Sequence, residues 1–288
     1  MRVTSLARRL GSAALVLSVG VGLAACSSDD SSDSGSSSSA TDSGADDSSD
    51  DGSDDVTETE DAAALTELDG AGFYPAVMEA MREAETFNFQ TVSESAGQSQ
   101  TMEGQARFAD GGMEMKASST GAQPMELILL DKAMYLKSPD LGTGDKWLKV
   151  DLSDPNSLFG MIGKATDPEV MFKAMEAPKK LELVGTEEVD GVETNHYRIT
   201  LDPAKYIAAM DFPSGMADMM PKELVTEMWV DGDDLPRKFS QTLEVPSAAG
   251  GKPTSTTSEG TYSDFGTDVE IEAPPADEVT EDMFPGAA

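Results

Sequence analysis

The sequence predicts an α+β domain over residues 70–288: one large curved antiparallel sheet with helices gathered on one face. Three observations carry this. Short runs rich in apolar and β-forming residues recur, split by tight-turn residues, so successive runs pair antiparallel. Asp-Pro dipeptides open helical stretches between two sets of such runs. One amphipathic helical stripe precedes them all.

Gly70 to Glu85 reads as a helix, because Phe73, Val77, Ala80, Met81 and Ala84 recur at helical spacing. Six strands follow: Thr86 to Ser95, Thr101 to Ala109, Met113 to Ser119, Met125 to Leu130, Ala133 to Lys137 and Asp145 to Leu152. Gly residues or Asp110-Gly111-Gly112 split the first of these, and Asp131-Lys132 makes a tight turn. Met125 to Leu130 is apolar on both sides, which predicts a central strand covered on both faces. Asp154-Pro155 and Asp167-Pro168 then open two helices, about 155–163 and 168–176, and Pro178 stops the second. At such a start Asp accepts from free backbone N–H groups, and Pro suits the first helical position.

Lys179 to Val189, Asp190-Gly191 and Val192 to Leu201 form the clearest hairpin. On its second strand Asn195, Tyr197, Ile199 and Leu201 share one face, and His196, Arg198 and Thr200 share the other. Asp202-Pro203 opens a third helix containing Tyr206, Ile207 and Met210. After a Met-rich stretch come strands at Val225 to Val230, Pro236 to Val245 and 254–262. The chain closes on Val269-Glu270-Ile271 and a Pro-rich coda.

The N-terminus is organised differently. Arg2, Arg8 and Arg9 precede an apolar run, Leu10 to Ala25, diluted by Gly11, Ser12, Ser18, Gly20 and Gly22. A basic start, a short apolar core and small residues at its end describe a secretory signal peptide, residues 1–25. The run is too short and glycine-rich for the roughly 20 apolar residues of a spanning helix. Its last residues, Leu23-Ala24-Ala25-Cys26, resemble a bacterial lipobox. That resemblance implies that Cys26 receives a diacylglyceryl thioether and becomes the first residue of the mature protein. With acyl chains of the palmitate class, such an anchor would hold the chain on the extracytoplasmic face of the cell membrane, because two or more chains give durable attachment. Cys26 is the one cysteine, which excludes an internal disulfide and, once acylated, a thiolate nucleophile or a cysteine metal site.

Ser27 to Asp69 holds 15 acidic residues and no Lys or Arg, with almost nothing apolar before Leu65. It cannot bury enough surface to offset the entropy of ordering, so residues 26–69 are expected to form a disordered acidic tether. A calcium-loop spacing occurs in it, at Asp47, Ser49, Asp51, Gly52 and Glu58. The usually aliphatic eighth position is Asp54, no amphipathic helix flanks the match, and we assign no metal there. Residues 70–288 hold 17 basic and 39 acidic residues, a charge of −22 within a total of −34. Such a domain repels nucleic acid and anionic headgroups, so lipid rather than charge must hold it to a membrane.

Four segments taken in order resemble the LppX/LprAFG lipoproteins of actinobacterial envelopes, whose fold is similar to that of LolA and LolB. They are Tyr135-Leu136-Lys137 with Asp145 to Val150, and Gly185 to Val192 leading to His196-Tyr197-Arg198. The others are Trp229-Val230-Asp231 with Asp234 to Lys238, and Tyr262 to Gly266 running on through Ile271 to Pro275. The resemblance implies a LolA-like half-barrel, a single highly curved antiparallel sheet with helices packed on its concave face. It also implies an apolar cavity that in some members holds acylated lipids in transit across the envelope. That is binding rather than catalysis, with no cofactor, and with a membrane transporter as an expected handover partner.

Family pocket residues follow no fixed motif, so the cavity candidates are named by face: Leu127, Leu129, Phe159, Met171, Met175, Tyr197, Ile199 and Met210. Seven of the 17 Met residues lie between 161 and 220, in or beside the helical inserts. Met is flexible and polarisable and suits a surface that adapts to varied acyl chains, although apolar helix faces also serve simply as core. Two readings stay open. One is a membrane-tethered carrier or chaperone for a lipid or lipoglycan; the other is an envelope interaction or sensing module without cargo. A hydrolase has little support. The chain has no G-x-S-x-G elbow, and with His196 as its one imidazole a multi-His metal site is impossible. His196 is expected in a surface or hairpin role.

Overall fold

The computed structural model describes residues 64–109, 112–121, 123–153, 178–209, 215, 220–245 and 254–281. The signal peptide, Cys26, most of the tether and the two helices expected near 155–163 and 168–176 lie outside the described residues.

Helix α1, Phe73–Ala84, opens the domain. Asp69 Oδ1 accepts from the backbone N–H groups of Ala71 and Gly72, at 2.9 and 2.7 Å, in the turn that leads into the helix, and Asp69 O accepts from Phe73 N at 2.9 Å. The predicted stripe is its buried face, with Phe73, Tyr74, Val77 and Met81 inside.

Six strands then meander: β1 Thr86–Ser95, β2 Gln98–Ala109, β3 Gly112–Gly121, β4 Met125–Leu130, β5 Ala133–Lys137 and β6 Trp147–Asp151. The β4–β5 turn uses Asp131 and Lys132, both at positive φ (52° and 60°), the twist that a two-residue hairpin requires. A second meander contains β7 Lys180–Val189, β8 Val192–Leu201, helix α2 Pro203–Ala209, β9 Leu224–Val230, β10 Pro236–Val245 and β11 Thr254–Ser263. Asp202 Oδ1 accepts from Ala204 N at 2.9 Å, so the Asp-Pro start of α2 works as expected.

The two meanders join where β1 pairs antiparallel with β11, from Asn88 opposite Ser263 to Ser95 opposite Thr256. The result is one open, curved sheet in the order β12-β6-β5-β4-β3-β2-β1-β11-β10-β9-β8-β7. Its last member, β12 Val279–Thr280, pairs parallel with β6. This differs from the expected antiparallel close. Val269 to Ile271 forms no strand. Instead the chain crosses one face of the sheet, where Ile271 is buried against Ile128 and Trp147. That crossing brings β12 beside β6, with which it pairs in the parallel sense.

Strand β4 is covered on both faces as its sequence predicts. Leu127 and Leu129 join the main core, and Ile128 joins the smaller cluster under the returning chain. It is not central, however; it lies fourth from one end. Contacts also reach into the last residues of the expected tether. Asn195 Nδ2 donates to Thr66 O at 3.0 Å, and Leu68 N donates to the Tyr197 hydroxyl at 2.9 Å.

Candidate ligand-binding face

Strand registers sort side chains onto two faces. One face, here the inner face, carries Phe87, Phe89, Thr91 and Ser93 on β1 and Met102, Gly104, Ala106 and Phe108 opposite them on β2. Continuing outward come Met113, Met115 and Ala117 on β3, Leu127 and Leu129 on β4, Met134 and Leu136 on β5, and Leu148 and Val150 on β6. On the other side of β1 the same face holds Tyr262 and Gly260, Phe239 and Leu243, Met228 and Leu224, then Tyr197 and Ile199. No residue of this orientation in β1–β6, β9 or β11 is charged, nor in β10 beyond its irregularity at Pro236–Lys238. Charged side chains alternate onto the outer face: Glu103, Lys116, Glu126, Lys149, Arg198, Glu227 and Glu259. In a chain that is 26% charged, this strict sorting makes an uncharged surface spanning most of the sheet.

The inner face is apolar with one neutral polar band. Buried Thr91, Gln241, Thr256 and Ser258 lie on it. Ser93 and Ser258 share a hydroxyl hydrogen bond of 2.9 Å, Thr256 donates to Ser95 at 2.9 Å, and Gln241 donates to Thr226 at 2.8 Å. Ser258, Thr256 and Gln241 are thus paired without recruiting an ion, which is how buried polar atoms are tolerated. The dryness of the surroundings shows in the phenols. Burial pushes Tyr206 and Tyr262 up to about 12, and raises Tyr74 further.

Four of the eight cavity candidates fall among the described residues. Leu127, Leu129, Tyr197 and Ile199 all point to the inner face and belong to one continuous core cluster, exposed by only 2%, 6%, 0% and 0%. Phe159, Met171, Met175 and Met210 lie outside the described residues. Tyr197 has a further duty. Its ring meets Phe73 edge-on at 4.9 Å, and its hydroxyl also lies 3.3 Å from Asn195 Nδ2. It therefore fastens α1 and the entering chain onto β8. The described residues also outline two depressions on the outer face, of about 510 and 400 Å³.

The sequence reading missed a cluster on the outer face. Of the two roles expected for His196 it takes the hairpin one, buried at 6% exposure. Its Nδ1 is 3.0 Å from Glu187 Oε1 and its Nε2 3.1 Å from Glu227 Oε2. Trp229 Nε1 donates to Glu187 Oε2 at 2.9 Å, and Arg198 donates twice to Glu227 Oε1, at 3.0 and 2.8 Å. The Trp229 hydrogen bond, helped by His196 and Lys238, holds Glu187 below the ordinary carboxylate value. For Glu227 burial pulls upward, but Arg198 and His196 together outweigh it and the value falls. The only sequence signal for this was outward alternation: Glu187, His196, Arg198, Glu227 and Trp229 come from three strands whose register the sequence does not print.

The chain is an open curved sheet whose core packs on a face that is uncharged over most of its strands, with charged side chains alternating onto the other face. No family model matches the chain. An uncharacterized 31.2 kDa protein of Streptomyces griseus, from the rplA-rplJ intergenic region, is 28% identical over 156 residues, or 48% of each chain. The chain thus spans about half the length of this curated relative. Among solved structures it is similar to LprF from Mycobacterium bovis (13% identity, 71% of this chain and 96% of that one, TM-score 0.46). It is also similar to the lipoprotein LppX of Mycobacterium tuberculosis (14% identity, 69% and 99%, TM-score 0.45).

Proposed function

We propose that the protein is a cell-envelope lipoprotein, anchored through Cys26, whose domain over 70–288 binds a hydrophobic acylated ligand as carrier or chaperone. Residues 1–25 act as the signal peptide and 26–69 as the lipidated tether on the extracytoplasmic face of the membrane. Helices closing the inner face, including those at 155–163 and 168–176, complete a cavity for the ligand, with Leu127, Leu129, Phe159, Met171, Met175 and Met210 against its acyl chains. The ligand is a lipid or lipoglycan, and a membrane transporter is the expected source or recipient. The role is binding, not catalysis.

The supporting observation is the inner face, which carries no charge over most of the sheet. Acyl chains require a surface with no ion to desolvate, because an unpaired charge against hydrocarbon is prohibitively costly. The neutral hydroxyl and amide band suits the ester and hydroxyl groups of an acylated ligand, which need hydrogen bonds but no counter-ion. The competing module without cargo uses the same face only as core.

The two readings separate by mass. The acylated chain is purified from a lipid-containing host and weighed under native and denaturing conditions. Carrier function predicts excess native mass released as lipid on denaturation. A bare native mass, with Met125→Asp behaving as the parent does, overturns it.

A further inference from the structure

Among the described residues, strand β7 ends the sheet and bonds only to β8. On it, Leu183 and Val184 are the large apolar side chains left exposed among the described residues, at 39% and 46%. Val184 falls where the pairing with β8 shifts register, between Leu183 and Gly185. The chain arriving from Cys26 reaches the domain at this same place. Thr66 and Leu68 are held by Asn195 and Tyr197 of β8, and a Cβ at Gly70 would sit 3.9 Å from Leu181 Cβ of β7. The tether therefore enters at the edge that carries the exposed apolar pair.

We propose that the free edge of β7, at Leu183 and Val184, rests in the interfacial layer of the bilayer that holds the Cys26 anchor. The inference rests on the reading of Cys26 as lipidated.

Three arguments favour a bilayer over another protein strand. An irregular register on an edge strand obstructs the addition of a further strand. A bilayer needs no register. Second, a domain of charge −22 cannot adhere to headgroups through its polar faces, so an uncharged apolar contact is the one that gains. Third, the tether supplies proximity. A flexible chain of this length spans roughly 35 Å, which keeps the edge at an effective concentration on the order of millimolar near the membrane. A two-residue contact too weak to bind alone is then populated. Leu183 lies opposite Tyr197, on the inner-face side, so the contact would open the uncharged face toward the lipid.

The test uses the acylated full chain carrying Val184→Cys, or Asp140→Cys as an exposed control in the connection between β5 and β6. Each added thiol is labelled with an environment-sensitive fluorophore; Cys26 is blocked by its thioether. Intact mass is read first, and an absent acyl increment would remove the anchor and the proposal with it. The chains are then placed in phosphatidylcholine vesicles with or without doxyl-labelled phosphatidylcholine. The expected result is quenching at 184 at least twofold stronger than at 140, reduced again by Leu183→Ser. Equal quenching at both sites overturns the proposal. So does a label at 184 that ignores doxyl lipid but becomes shielded as protein density rises, which would mark an interface between protein copies.

Discussion

The imidazole of His196 lies flat on the indole of Trp229, with ring centroids 4.2 Å apart and planes 13° from parallel. Lys238 Nζ sits 4.8 Å from the Trp229 ring centroid, and Glu187 reaches both His196 and Trp229 from the neighbouring strand. Three strands of the second meander, β7, β8 and β9, are thereby tied together on the water-facing side while their other side stays apolar.

This clasp should make stability depend on acid. Glu187 and Glu227 both sit below their ordinary value of 4.5 in the folded protein. A carboxylate depressed by folding contributes stability that is present above its unfolded pKa and lost as pH falls through its folded one. Urea midpoints should therefore fall as the pH drops below 4.5, and the double variant Glu187→Gln/Glu227→Gln should show a shallower fall. Parallel curves would mean that the carboxylates contribute nothing specific.

Tyr197→Phe tests the fastening of the entering chain. The hydroxyl accepts from Leu68 N, and its loss leaves that donor and part of Asn195 without a partner. A cost of about 1–2 kcal/mol is expected in urea unfolding. Amide exchange at Leu68 should quicken while exchange in β4 stays unchanged.

Gly260 tests the packing of the joining strands. A Cβ there would meet Phe239 ring carbons at 2.1 and 2.7 Å, and Gln90 O at 3.0 Å. Gly260→Ala should cost about 1–3 kcal/mol by overpacking. The paired variant Gly260→Ala/Phe239→Leu should recover part of that in thermal unfolding.

Cys26→Ser tests the anchor. The variant should lose the acyl mass and move from the membrane fraction to the soluble fraction. Its domain should keep the parent's circular dichroism, since among the described residues the core cluster is built from Leu68 onward.

Much of this fold was legible because local chemistry specified it. The stripe of α1, the Asp131-Lys132 and Asp190-Gly191 turns and the Asp202-Pro203 helix start each act within a few residues, and each stands where the sequence puts it. The seam between β1 and β11 was not legible, since it joins residues about 170 apart whose Ser and Thr pairs carry no register signal of their own. The parallel docking of β12 was missed for the same reason: two residues, Val279 and Thr280, have no periodicity to read. For the site, alternation correctly put Leu127, Leu129, Tyr197 and Ile199 on one face. It could not show that Tyr197 is also a fastener, because Thr66 and Leu68 sit in a stretch whose composition reads as tether.

The central claim is that acyl chains lie on the uncharged inner face, and nuclear Overhauser contacts test it most directly. The chain is labelled at Met methyl groups and purified with its bound lipid. Contacts from acyl methylene protons to the methyls of inner-face Met113, Met115, Met125 and Met228 are the result predicted. A lipid-bearing sample in which those methyls show no acyl contact would contradict the account.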